Sequence, residues 1–230
     1  MFNKNKILII AAHPDDEILG CGGMVAKYSG ANEISALILG EGITSRYEVR
    51  QEAPKEELAE LKQRAEKSAK ILGIKNIYFL DLPDQRFETM PLLEITKKVE
   101  KIIAELKPQI VFTHSRTDLN LDHRITFGAV MTAARPVASC PAKEVYSFEI
   151  PSSTEWSFQK INGVFSPNFF VDISSSVQKK IEAIKAYESE MREFPHPRSL
   201  EGIALLAEKR GMEVGVESAE AFELIRRVNN

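Results

Sequence analysis

The first apolar run of the chain, residues 7–12 (Ile-Leu-Ile-Ile-Ala-Ala), is continuous rather than alternating and rich in branched side chains. That pattern predicts a strand buried on both faces of a parallel sheet. The run stops at His13-Pro14-Asp15-Asp16, where Pro14 forbids easy continuation. Gly20, Gly22 and Gly23 follow in a short helical stretch ending near Ser29. Residues 34–39 and 77–80 read as further strands. Between them Leu58, Leu61, Ala65, Ala69 and Leu72 recur at helical spacing, so 54–72 reads as a helix that Gly73 can close. A helix is predicted over 92–106, then a strand over 110–113 ending at His114, then a helix from the 118–124 region to near Ala134. This alternation predicts an α/β fold: a Rossmann-like, mostly parallel sheet with helices on both faces.

Beyond Arg135 the alternation fades. Residues 145–150 and 168–173 read as strands with no clear helix between them, which predicts an antiparallel edge. Residues 174–190 read as a helix capped by Ser174, and 200–210 as another closed by Gly211. There is no repeat or long linker, so one domain over residues 1–230 is expected.

Composition narrows the class. Hydrophobic residues are 43% and charged residues 27%, which describes a soluble globular chain with enough apolar material for a core. The 30 basic and 33 acidic residues give a net charge of −3, without the basic footprint that a nucleic-acid partner requires. The N-terminal apolar run is too short to span a bilayer and lacks a signal-peptide cleavage pattern. The two cysteines, Cys21 and Cys140, form no Cys-x-x-Cys pair, which speaks against a thiolate zinc site. A reduced, cytoplasmic, soluble protein is expected, and a homo-oligomer is left open.

In a doubly wound sheet, ligands bind beyond the carboxyl ends of the strands. Two predicted strand ends carry polar clusters: His13, Asp15 and Asp16 on the first, and His114, Asp118, Asp122 and His123 on the fourth. His13 and Asp16, spaced His-x-x-Asp on one tight turn, can reach one ion. A third ligand from another strand end would complete the three-ligand, water-open set of a catalytic zinc site, and His123 is the best candidate. Another divalent ion such as Fe2+ would suit the same donors. Asp118 and Asp122 either orient a ligand histidine from behind or cap the following helix. The glycine cluster invites a sugar-nucleotide or dinucleotide-binding reading. Its spacing is not G-x-G-x-x-G, however, and close helix packing explains it better.

Ala12-His13-Pro14-Asp15-Asp16-Glu17 followed by Gly20-Cys21-Gly22-Gly23 resembles the opening signature of the PIG-L/LmbE-like zinc N-deacetylases. The stretch from Thr117 to His123 resembles their second signature, and the likeness extends to Arg64 and to His196-Pro197-Arg198-Ser199. It implies an LmbE-like fold, zinc on His13, Asp16 and His123, and Asp15 as general base. It also implies removal of an acetyl group from an N-acetylated amino sugar or sugar conjugate. Amidase action on a thiol conjugate or antibiotic intermediate is the alternative within hydrolases. Substrate contacts are expected from Arg64, Arg198 and Asp118, with Asp122 behind a ligand. Asn120 stands where many members of the family carry a histidine; an amide can steady an oxyanion but cannot act as an acid. The acid role therefore passes to Asp15 or to His196. The flanking prolines of His196 stiffen a loop, 195–199, expected to fold over the site and carry the imidazole into the pocket.

Overall fold

The computed structural model describes residues 2–229. Its strands are β1 (Lys6–Ala11), β2 (Glu33–Gly40), β3 (Asn76–Leu82), β4 (Ile110–His114), β5 (Glu144–Phe148), β6 (Phe169–Asp172) and β7 (Ala219–Arg227). Its helices are α1 (Asp16–Tyr28), α2 (Lys55–Leu72), α3 (Leu92–Leu106), α4 (Leu121–Ala133), α5 (Gln159–Asn162), α6 (Val177–Ile184) and α7 (Leu200–Met212). The strands form one sheet of order β3-β2-β1-β4-β5-β7-β6. The first five pair parallel, and β7 runs antiparallel to both β5 and β6. The chain reverses its winding direction at β1, between β2 and β4, which is where such a sheet opens a crevice for ligands.

Alternate side chains of β1 feed two cores. Ile7 and Ile9 face the layer that includes Met24, Val25, Leu61 and Ala65 of α1 and α2. Leu8 and Ile10 face Ile95, Val99, Ala129 and Val130 of α3 and α4. Helices on both faces thus explain the uninterrupted apolar run. Gly73 closes α2 in the left-handed conformation, φ 85°. No helix among the described residues is long and apolar enough to cross a membrane.

The glycines of α1 are packing positions. A Cβ at Gly20 would lie 2.4 Å from the Phe148 ring, and one at Gly23 would lie 2.6 Å from Ile173. Contact this close with β5 and its neighbours leaves no role for these glycines in cradling a phosphate. On the same helix, Glu220 of β7 accepts the Gly23 and Met24 N–H groups at 2.8 and 2.7 Å. Lys180 of α6 pairs with Glu220 at 2.7 Å and donates to the Leu19 carbonyl, all of it buried.

The C-terminal part departs from expectation in three places. The helix expected over 174–190 is α6 followed by a tight 3-10 turn, Lys185–Glu190, that leaves helical geometry at Tyr187 (φ −97°, ψ 46°). Ser174 does not cap it, because its hydroxyl bonds Asp172 instead. Gly211 does not close α7, which runs on to Met212. A Cβ there would sit 2.5 Å from the Val216 carbonyl, so the glycine serves a close backbone approach. Strand β7 carries no alternating signal, since its buried residues begin Ala-Glu-Ala-Phe, with a charged side chain among the apolar ones.

Candidate metal centre and its cavity

His13 leaves the end of β1 and Asp16 opens α1. The turn between them is closed by the His13 N–H donating to Asp16 Oδ2 at 3.0 Å. His123 lies in the first turn of α4, whose N-cap, Asn120, accepts the Asp122 N–H through its side chain at 2.9 Å. The two loops face each other across the crevice beside β1 and β4. His13 Nδ1, Asp16 Oδ2 and His123 Nε2 stand 3.2 to 3.4 Å apart, pair by pair. Ligand bonds of about 2.0–2.1 Å in a tetrahedron give edges of about that length. Asp16 Oδ1 is buried with no hydrogen-bond partner, a second sign that this carboxylate is shaped for something other than its protein neighbours. Two imidazoles and a carboxylate fit a borderline divalent ion.

Behind each imidazole sits a carboxylate. Asp122 Oδ2 lies 3.1 Å from His13 Nε2, and Asp118 Oδ1 lies 3.2 Å from His123 Nδ1. With an ion held at the near ring nitrogens, the far ones would keep their protons toward these carboxylates. Asp122 is itself held by the Gln85 and Phe87 N–H groups. Asp118, expected at the substrate, is completely buried, and its oxygens accept the Ser153 and Thr154 hydroxyls and the Asn120 N–H, with His123 Nδ1 in ion-pair range. That enclosure gives it no path to substrate and sets it against the His123 ring.

Charge follows from these contacts. Burial opposes protonation of both imidazoles. Asp122, Asp16 and Asp84 nevertheless hold His13 up to about 10, and Asp16 and Asp118 hold His123 up to about 9. Burial likewise opposes the charge on Asp118, which His123 and Ser153 pull down to about 2. His114 accepts the Ala12 N–H at 2.8 Å and stacks on His123, ring centres 3.9 Å apart. Burial, then the neighbouring His123, push its pKa well below the ordinary value, so it is a neutral scaffold residue.

The centre floors a cavity of about 220 Å³, lined by Asp15, Asp84, Asn120 and Glu190, and by three arginines, Arg46, Arg192 and Arg198. Asp15 is held at φ 105°, a region that disfavours side chains, and its carboxyl makes no cap bond to α1. Burial pushes its pKa well up, against the pull of Arg198, whose Nη1 is 3.0 Å from Asp15 Oδ2. Asn120 spends its oxygen on the cap, which leaves its amide hydrogens to donate at the cavity wall.

The 195–199 loop brings Arg198 to the cavity, not His196. The His196 ring packs edge-to-face on Trp156, centres 5.4 Å apart, and its Nδ1 accepts the Arg198 N–H. Arg64 pairs with Glu60 on α2 and is not among the cavity-lining residues. Sequence reasoning gave no role to Glu17, Tyr187, Arg46, Glu190 or Arg192. Only Glu17 carried a signal, as a third acid opening an otherwise apolar helix.

The sequence profile of the family described as "PIG-L: GlcNAc-PI de-N-acetylase" matches residues 8–134, from β1 through α4. The diacetylchitobiose deacetylase of Thermococcus kodakarensis is 31% identical over 195 residues, covering 82% of this chain and 71% of that protein. A probable N-acetyl-alpha-D-glucosaminyl L-malate deacetylase 2 of Bacillus anthracis is 25% identical over 194 residues, 83% of each chain. Among solved structures, the N,N'-diacetylchitobiose deacetylase of Pyrococcus horikoshii superposes with a TM-score of 0.76 at 23% identity, over 96% of this chain and 84% of that one. The 4-carboxy-2-hydroxymuconate hydratase of Pseudomonas putida KT2440 does so at 0.77 and 21%, over 98% of each, so the fold alone does not choose a chemistry. The profile match does discriminate, because it spans more than half of the chain and takes in both loops that build the centre: the chain belongs to the PIG-L family of de-N-acetylases.

Proposed function

We propose that this protein is a metal-dependent hydrolase that removes the acetyl group from an N-acetylated amino sugar or a conjugate of one, with zinc as the ion. The observation that carries the reading is the triangle of His13, Asp16 and His123 with the Asp15 carboxylate beside it at the cavity floor. The deacetylase names of the relatives in Thermococcus and Bacillus support the substrate class. When bound, the ion supplies a water of lowered pKa and a Lewis acid for the amide carbonyl. His13, Asp16 and His123 would hold it.

The chain's own groups do the rest. Asp15, with its pKa raised by burial, takes the proton of the attacking water at its carboxylate and returns it to the departing amine. Arg198 holds that carboxylate at the cavity floor. The Asn120 amide donates to the oxygen that gains charge as the carbonyl is attacked. His196 has no part in this scheme, so one carboxylate carries both proton transfers.

Asp15→Ala tests the assignment. The variant should retain its metal while turnover on a panel of N-acetylated amino sugars, free and conjugated, falls a hundredfold or more. Full activity in Asp15→Ala, or in protein stripped of metal by chelator, would overturn the proposal.

A further inference from the structure

We propose that Glu17 and Tyr187 are positioning residues for Asp15: together they fix the backbone conformation that releases its carboxylate from helix capping and directs it to the cavity. The inference rests on the hydrolytic reading above for its kinetic consequence, though not for its geometry.

Aspartate is among the strongest N-cap residues, and at the N-cap of α1 its carboxylate would ordinarily fold back onto the N–H groups of the first turn. Here it does not, and the side chain makes no cap bond. Instead the backbone at Asp15 is turned to φ 105°, ψ −31°. A non-glycine residue persists in such a region only where its surroundings over-determine it, at a cost on the order of 1–3 kcal/mol.

The determinant is visible. The Asp15 N–H is buried and donates to Glu17 Oε2 at 3.0 Å. This resembles the return bond of a capping box, made one position earlier than usual. The Asp15 carbonyl receives the Ile18 and Leu19 N–H groups, so both backbone ends of the residue are tied.

Glu17 in turn needs a partner, because a buried carboxylate is expensive unless its oxygens are occupied. Its second oxygen, Oε1, accepts the Tyr187 hydroxyl at 2.6 Å, and both side chains are fully buried. Tyr187 is the residue at which the 3-10 turn after α6 leaves helical geometry, so the turn is bent where the hydroxyl is delivered. The same turn ends at Glu190, and Arg192 and Arg198 follow it to the cavity. The C-terminal layer therefore grips Asp15 twice: Arg198 at its carboxylate, and Tyr187 through Glu17 at its backbone.

A structural pair that merely pinned α1 to the C-terminal layer would have no reason to spend one carboxylate oxygen on the Asp15 N–H. The chemical consequence is orientation. Displacing a proton-transferring group by about 1 Å can lower a rate on the order of a hundredfold without weakening substrate binding.

The test uses the metal-loaded full chain and three variants: Tyr187→Phe, Glu17→Ala and Glu17→Gln. Phenylalanine keeps the packing and removes only the hydroxyl. Glutamine is the rescue, since its amide oxygen still accepts the Asp15 N–H and its amide nitrogen can meet the tyrosine oxygen. We expect kcat to fall about tenfold in Tyr187→Phe and at least as far in Glu17→Ala. KM and the metal content should stay within twofold of the parent, and Glu17→Gln should recover most of the rate. A crystal structure of Tyr187→Phe should show the Asp15 φ relaxed from its positive value or its carboxylate turned from Arg198. The proposal fails if Tyr187→Phe retains the parent kcat and Asp15 geometry, or if its loss of rate tracks a loss of metal or a rise in KM. Should Glu17→Ala not fold, the other two variants decide. Should the parent protein hydrolyse no acetamido sugar, the functional reading falls, and the Asp15 geometry of Tyr187→Phe still decides the positioning claim.

Discussion

Asp118 offers a perturbation whose structural and chemical effects separate cleanly. It accepts three hydrogen bonds, from the Ser153 and Thr154 hydroxyls and the Asn120 N–H, and stands 3.2 Å from His123 Nδ1 as an ion pair. Asp118→Ala strands all of them in a buried site. At about 1 kcal/mol for each lost bond, the fold should lose roughly 3 kcal/mol. Unfolding entropy of about 2 cal/mol/K per residue over 230 residues turns that into a fall in Tm of about 6 °C. Asp118→Asn differs in kind. Its amide oxygen can face His123 and the Asn120 N–H, and its nitrogen can meet Thr154 Oγ1, which already accepts from the Ile150 N–H and keeps a second lone pair. Tm should move by no more than about 3 °C. What asparagine removes is the negative charge that makes His123 a stronger ligand, so metal affinity should drop about 10- to 100-fold. Thermal unfolding of the metal-free proteins and competition against a chromophoric chelator measure the two effects. An Asp118→Asn variant that binds metal within twofold of the parent would refute the orienting role. Equal Tm values for the two variants would refute the count of stranded donors.

Two further outcomes are expected. Both ligand imidazoles are held above their ordinary pKa and carry protons at neutral pH, so loading the ion must expel them. Calorimetry in buffers of different ionisation enthalpy should find about one to two protons released per ion at pH 7, with affinity climbing toward pH 9, and zero release would contradict the placement of Asp16 and Asp118 against His123. Gly20→Ala drives a methyl into the Phe148 ring and should cost about 1–3 kcal/mol, whereas Gly128→Ala, in open space on α4, should be neutral or stabilising by up to about 1 kcal/mol in a denaturant titration.

The central strands β1, β2 and β4 were legible because they are buried on both faces, and continuous apolar runs announce that. The clustering of His13, Asp16 and His123 was legible because strand ends in such a sheet point at one crevice, and few histidines were available to fill it. The C-terminal layer was not. β7 mixes Ala219 and Ala221 with a buried Glu220, a pattern that makes sense only once Lys180 and the α1 N–H groups are in place around it. His196 misled for a related reason. Two prolines fix a backbone but do not say which neighbour the loop presents, and the residue that reaches Asp15 is Arg198. Glu17 was invisible as a partner of Asp15 because the bond depends on a positive φ that no spacing encodes.

The insertion of β7 between β5 and β6 has a consequence for how the protein is made. In a chain leaving the ribosome, β4 and β5 are both available to pair before β7 exists, whereas β6 bonds only β7. Until Ala219–Arg227 has emerged, the nascent sheet ends in a live edge at β5, a template for pairing with another chain. Over the same interval Lys180 lacks its carboxylate, and α1, whose first turn supplies Asp16, lacks the acceptor for Gly23 that is translated 197 positions later. The residues of the candidate metal centre are encoded early and the last contacts that hold α1 are encoded late, so vectorial synthesis leaves an interval in which the β5 edge is open.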